Sequence, residues 1–416
     1  MLGRAQRGVA VISTGAVAGQ LATFVATPVL ARLYSPTSYG IFASLISIVA
    51  VASVAGSLRL ESAVSIATEG DARNLVRISA ISSLISGLCC AAILKVIGHE
   101  FFSQETVLGP IIVTYLVWAT AMYTVLTAFW LRTHQYGAVA RRNFLQSLGT
   151  ATGQLSFARW APTELGLVLG LTIGRSLALF TLIRNYPLSP SRAGAAAPGL
   201  TTSLRRYWKF PTIFMPSALL NVVGSQIPLL LVALLYGPDD AGNLAQAIML
   251  GALPAALIGS AISTVFLAEL ATRVRDGELY QRRRYLKLSR TLLPLGLVWF
   301  LLLALVIPRL LPIVLGPGWL LSGSFSLALA SSVATGLVVS PLTIVLLIYQ
   351  RTVLTPAIDL LRVVVVTGVG LGAWAAGFNS VMAVLLMSIG LTCIYVITWF
   401  LGLRIVSSRT HESPRN

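Results

Sequence analysis

The sequence predicts an all-α integral membrane protein of about twelve transmembrane helices, arranged as two six-helix lobes in a parallel internal repeat around a central cavity. Three observations carry this expectation. Apolar runs of about 18 or more residues recur along the chain, the first being the charge-free stretch Val9 to Leu30. Lysine and arginine collect at alternate ends of those runs. A Leu-Tyr-x-Pro-x-x-x-Gly turn occurs twice.

Of 416 residues, 56% are hydrophobic and 10% charged, against about 25% charged in soluble domains, and the mean hydropathy is +0.84. The first run is too long for the core of a cleaved signal peptide and further spans follow it, so it is expected to be retained. Cys89, Cys90 and Cys393 lie inside apolar runs and read as inert membrane thiols. His99, His134 and His411 each stand alone. With no phosphate-binding Gly-rich loop, no His-Glu-x-x-His and no nucleophile elbow, the sequence predicts no enzyme, metal or cofactor.

In chain order, spans are expected at about 8–33, 39–58, 76–98, 106–130, 143–161 and 164–184, then at 210–236, 241–270, 289–315, 322–349, 356–376 and 378–403. The first ends at a Tyr-Ser-Pro turn and the second at Arg59. The fifth is polar for a span, with Gln146, Thr150 and Gln154 on one face expected to turn toward a cavity. After the sixth comes "SPSRAGAAAPG", a flexible linker composition. The expected organisation is therefore an N-terminal lobe over 1–190, a linker over 191–209, a C-terminal lobe over 210–403 and a tail over 404–416. External connections, such as His99 to Glu105 and Gly377 to Asn379, are too short to form a domain.

Charge sets the orientation. One side collects Arg4, Arg7, Arg59, Arg73, Arg77, Arg132, Arg141 and Arg142, the 184–209 and 273–290 segments, and Arg351, Arg404, Arg409 and Arg415; together these are 24 of the 30 basic residues. The other side holds Arg32, Lys95, Arg159 and Arg309, while Arg175 and Arg362 fall within spans. The positive-inside rule then places both termini in the cytoplasm. The same asymmetry accounts for the net charge of +17 without nucleic acid.

Aligning residues 30–43 (LARLYSPTSYGIFA) with 232–245 (VALLYGPDDAGNLA) needs no gap and leaves six identities at an offset of 238 − 36 = 202. The match falls between first and second helix of each half, which predicts a duplicated six-helix unit. The same offset carries the stripe Gly15, Gly19 and Thr23 onto Ser217, Asn221 and Ser225. Close helix packing and cavity lining both account for these stripes.

A charge in mid-bilayer costs about 3 kcal/mol on insertion scales. Arg175, eleven residues from Glu164 and nine from Arg184, is too deep to snorkel and reads as a functional position. Arg32 and Arg159 lie where topology disfavours arginine, so interfacial anchoring and ligand binding both remain open. Arg59 is explained by topology as well as by function. Arg362 has Asp359 one turn back, and Lys95 and Arg309 read as anchors. Deep arginines without a deep carboxylate favour an anionic ligand, and the planar guanidinium suits phosphate.

The segments "LARLYSPTSYGIFA", "GSLRLESAV" (56–64), "RRYWKFPTIFMPSALLNVVGSQIPLLLVALLYGPDDAGNLAQA" (205–247), "GALPAALIGSAISTVFLAELA" (251–271) and "VLGPGWLLSGSFSLALA" (314–330) resemble the polysaccharide transporter family. These are the Wzx-type O-antigen and capsule flippases of the multidrug/oligosaccharidyl-lipid/polysaccharide exporter superfamily. The resemblance implies a two-lobed transporter with a cationic cavity. Its substrate would be an undecaprenyl-diphosphate-linked oligosaccharide, moved by alternating access for O-antigen, capsule or exopolysaccharide synthesis. Arg32 falls in the family's "LAR" motif and Arg59 in its "GLR-x-E" motif, where this chain has Ser57; Arg159 and Arg175 match no motif. The implied partners are the lipid-linked oligosaccharide, membrane lipid, and a glycan polymerase and glycosyltransferases. A drug or metabolite antiporter of the same superfamily would need a cavity carboxylate, for which Glu61, Glu269 and Asp359 are available. A membrane polymerase or ligase would need a large external loop. A non-catalytic partner in a glycan-assembly complex is the remaining reading.

Overall fold

The computed structural model describes residues 2–97, 108–184, 186, 199–275, 281–349 and 353–407. The expected external loop at His99–Glu105, the linker sequence through residue 198, and Arg192, Arg351, Arg409 and Arg415 lie outside the described residues. Among the described residues there is no strand, and twelve long helical runs and two short helices account for nearly everything. Ten runs are long and apolar enough to cross a membrane. The helices containing residues 2–33 and 136–158 are not among those ten. Large apolar side chains are exposed along the spans, for example Ile313 at 71% and Val265 at 70%. That surface suits hydrocarbon rather than water, and the chain is a multi-pass membrane protein.

Contacts divide the chain into two units, Met1–Val222 and Val223–Asn416. The first contains α1 (Leu2–Leu33), α2 (Pro36–Ser57), α3 (Leu60–Ile66), α4 (Glu69–Ile97), α5 (Leu108–Arg132), α6 (Tyr136–Ala158), α7 (Glu164–Ile183) and α8 (Leu200–Arg206). The α1–α2 joint follows from its residues. Pro36 opens α2 where a missing N–H costs nothing, and Ser35 caps it by accepting from the Ser38 N–H at 3.1 Å. α2 ends where Leu58 and Arg59 both take left-handed backbone, at φ 52° and 58°. Side chains resist that conformation by roughly 1–2 kcal/mol per residue, so the kink separating α3 is imposed by its surroundings. Leu60, Leu75, Leu126, Phe129 and Leu182 form the core there.

Three helices start seven residues earlier than the sequence expectation: α4, α6 and the helix from Arg282, expected from about 289. α4 starts at Glu69 rather than near 76, because Thr68 and Asp71 cap it reciprocally: the Asp71 N–H donates to Thr68 Oγ1, and that hydroxyl donates to Asp71 Oδ2. Buried Asp71 also accepts from Ser203 Oγ at 2.7 Å and from Arg206 Nη1 at 2.8 Å, which docks α8 onto α4. α6 starts at Tyr136 rather than 143. It therefore takes Arg141 and Arg142, expected in a basic connection, into the helix.

After a π turn at Phe210–Phe214 comes α9 (Met215–Leu235). The second unit continues with α10 (Pro238–Ala247), a π turn at Ile248–Ala252, α11 (Leu253–Arg275), α12 (Arg282–Leu301), a π turn at Leu302–Val306 and α13 (Ile307–Leu315). α14 (Leu320–Val339), α15 (Ile344–Ile348), α16 (Leu354–Ala375) and α17 (Ser380–Ser407) complete it. The second copy of the turn has Pro238 opening α10 after Gly237, whose φ of 99° and ψ of 170° are accessible essentially to glycine alone. Within this unit α14 packs on α12 and α17. Tyr285 Oη donates to the Trp399 carbonyl at 3.0 Å, and Trp399 Nε1 to Ser289 Oγ at 3.0 Å, which fixes α12 against α17.

Candidate functional site

The α6–α7 seam of the first unit positions the site. α7 carries Gly166, Gly170 and Gly174 at four-residue spacing, a small-residue stripe that lets backbones approach closely. A Cβ on Gly170 would stand 2.4 Å from the Gln154 backbone nitrogen. One on Gly174 would stand 2.0 Å from Thr150 Oγ1 and 2.6 Å from the Gln146 carbonyl. Gln154 is buried in this seam, its Nε2 donating to the Leu167 carbonyl at 3.1 Å. It joins two helices instead of facing an open cavity, as its sequence pattern suggested. Gly15 and Gly19 of α1 likewise pack against Ala140, Asn143 and Ser147 of α6, so close packing is the role of that stripe.

Beside Gly174, Arg175 reaches toward Tyr123 of α5, its guanidinium carbon 5.0 Å from the ring centroid. Arg142 of α6 lies over the same ring at 3.6 Å. Arg142 is 4% exposed and donates to Thr127 Oγ1 and Asn143 Oδ1. Tyr123 Oη also donates to Asn143 Oδ1, at 3.2 Å. The face of an aromatic ring attracts cations, so Tyr123 holds two like charges near each other. The Nε groups of both arginines and Oε1 of Gln146 are buried without a hydrogen-bond partner. No carboxylate among the described residues pairs with either arginine.

The other predicted arginines lie elsewhere. Arg32 is exposed in the last turn of α1, and Arg159 is exposed just past α6. Both are at the end of the unit where Tyr34 Oη donates to the Gln154 carbonyl at 2.7 Å. Arg59 follows α2 at the opposite end and is paired with Glu61 at 3.0 Å. Arg175, eleven residues along α7, is about 16 Å from that helix's start. The four thus occupy three levels, and only Arg175 enters the Tyr123 cluster. Thr150 is half-buried against Gly174. On α9, Ser217 is half-buried, and Asn221 and Ser225 are exposed. The residues that sequence reasoning missed are Arg142 and Tyr123. Arg142 was hidden by its neighbour Arg141, which made the pair look like a loop; a helix extended back to Tyr136 places it one face-turn from Gln146.

The arrangement can bind an anion. Two guanidinium groups with spare N–H donors and no acid beside them form a cradle for phosphate oxygens. Among the described residues no group of three or more potential metal ligands occurs. Of the candidate carboxylates, Glu61 is paired with Arg59 and Glu269 with Arg284, while Asp359 is buried in α16 at 7% exposure.

Residues 29–324 match the sequence profile of a family described as polysaccharide biosynthesis protein. No curated protein matches the chain by sequence. Among solved structures, the lipid II flippase MurJ in an inward closed conformation superposes with a TM-score of 0.72 at 13% identity, covering 94% of this chain and 87% of MurJ. An inward-facing multidrug resistance MATE transporter of the MOP superfamily gives 0.55 at 14% identity, covering 93% and 94%. An outward-facing one gives 0.56 at 13%, covering 96% and 95%. At such identities the likeness is one of fold.

Proposed function

The chain belongs to the polysaccharide biosynthesis protein family, and we propose that it is a flippase carrying an undecaprenyl-diphosphate-linked oligosaccharide across the bacterial inner membrane by alternating access. The observation that supports this best is the arginine pair over Tyr123, Arg142 buried and Arg175 half-buried, each with a buried Nε lacking a partner and neither with an acidic partner among the described residues. The diphosphate is the part of such a substrate that needs cations in the membrane interior, and Arg142 and Arg175 hold it there. Arg32 and Arg159, at one end of the unit, and Arg59, at the other, meet it on arrival and departure. Thr150 and Gln146 offer a hydroxyl and an amide to the sugar, while the prenyl tail stays in lipid. The basic ends of the spans face the cytoplasm, consistent with a load taken up from that side. A cation antiporter would need a cavity carboxylate; Glu61 and Glu269 are ion-paired, which leaves Asp359, buried in α16, as its candidate.

Replacement of Arg175 tests this. Arg175→Ala should abolish glycan export and leave lipid-linked oligosaccharide in the inner leaflet, at unchanged protein level in the membrane. Arg175→Lys should restore it only in part, because an ammonium lacks the bidentate fork. Normal export by Arg175→Ala would sink the assigned role.

A further inference from the structure

The second unit contains a groove of about 620 Å³ between α12, α14 and α17, a size that suits one small ligand. Its walls include Leu293, Leu297 and Phe300 of α12, Val338 of α14, and Val396 and Phe400 of α17. Leu293, Leu297 and Phe400 are 57%, 60% and 56% exposed within apolar spans, so hydrocarbon is their neighbour. The polar side chains of the lining all have partners within the unit. Ser289 Oγ accepts from Trp399 and donates to the Tyr285 carbonyl at 2.8 Å, and Thr335 Oγ1 donates to the Ser331 carbonyl at 2.7 Å. On α12 the lining runs from Ser289 to Phe300, about 16 Å of helix. That is about half of a 30 Å hydrocarbon core, or one leaflet.

One end of this groove is cationic. Arg290 precedes Leu293 and Leu297 by three and seven residues, on the same face of α12. Arg404 follows Phe400 and Val396 by four and eight, on the same face of α17. The bond from Tyr285 to Trp399 brings these ends of the two helices together, and Lys287 adds a third charge there. All three are exposed, and none forms an ion pair with a described residue. We propose that the groove holds one acyl chain of an anionic glycerophospholipid from the surrounding leaflet, its phosphate bound by Lys287, Arg290 and Arg404. The lining length matches a chain that stays within one leaflet, and the charge selects an anionic headgroup. The site is independent of what the protein transports.

The test uses the purified full-length protein in detergent, titrated with phosphatidylglycerol or phosphatidylcholine of identical acyl chains, with lipid retention read by native mass spectrometry. Phosphatidylglycerol should be retained over phosphatidylcholine. The Arg290→Gln, Arg404→Gln double variant should weaken its retention about twenty-fivefold, from about fivefold for each charge. Both positions are exposed, so this variant keeps its fold. Val396→Trp, which fills the groove, should lose both lipids. Equal retention of the two lipids, or phosphatidylglycerol retention untouched in the double variant, overturns the proposal. Preferential displacement of phosphatidylglycerol by undecaprenyl diphosphate also overturns it, assigning the groove to a prenyl tail.

Discussion

The same helix hairpin is built once in each unit, and its two copies treat equivalent residues differently. In the first, Tyr34 is 2% exposed and donates from its hydroxyl to Gln154; in the second, the Tyr236 hydroxyl is buried without a partner. Ser35 caps α2 with its side chain, whereas Gly237 reaches α10 through positive φ. Arg32 corresponds to Leu234, which is 68% exposed. Both copies keep the backbone solution, a tyrosine and a helix-opening proline, while their polar groups differ: the first carries Arg32 and Ser35, the second Asp239, Asp240 and the buried Asn243, which accepts from Ser322 Oγ at 2.9 Å. A repeat thus separates what the fold needs from what each unit can vary.

This comparison can be broken or sharpened by matched substitutions. The largest effect is expected in glycines. Gly174→Val forces a side chain into Thr150 and the Gln146 carbonyl and should cost about 3 kcal/mol. Gly368→Ala in α16, where a Cβ meets nothing within 4 Å, should stabilise by about 0.5–1 kcal/mol. Unfolding of both variants in detergent checks whether close backbone approach belongs to the first unit's seam; equal losses would remove the distinction. Next come the tyrosines. Tyr34→Phe should cost about 1 kcal/mol by deleting a buried hydrogen bond, and Tyr236→Phe should gain up to about 1 kcal/mol by removing an unsatisfied hydroxyl. The opposite signs are the measurement that matters. The smallest effect is Ser35→Gly, which copies the second unit's residue and should cost only a few tenths of a kcal/mol, about 0.3, seen as a slight drop in melting temperature.

Much of the architecture was legible because membrane spans announce themselves by length and hydropathy. The boundaries that shifted did so for local reasons. Thr68 and Asp71 lengthen α4 through a cap, and the polar start of α6 hides it from any hydropathy criterion. Arg175 was legible because a lone charge among apolar residues has a known cost. Tyr123 was not: an aromatic residue in an apolar run looks like every other core residue until a cation is found above its ring. Gln154 shows the converse, since a polar face suggests water from sequence and serves here as a tie between helices. The stripe Gly166, Gly170 and Gly174 was visible in the sequence, but its meaning depended on which helix it faced.

The three π turns, at Phe210–Phe214, Ile248–Ala252 and Leu302–Val306, have a consequence for reading and altering this chain. A π turn holds one more residue than an α turn and is the geometric equivalent of a single inserted residue, which offsets everything beyond it by about 100° around the axis. Helical stripes cannot be counted through these joints, so any face assigned across 248–252 or 302–306 must be restarted on the far side. The joints are also places where the chain carries length to spare. Removal of one residue within them can be absorbed by reversion to regular helix, whereas the same deletion in α6 or α7 would rotate half of a glycine seam away from its partner.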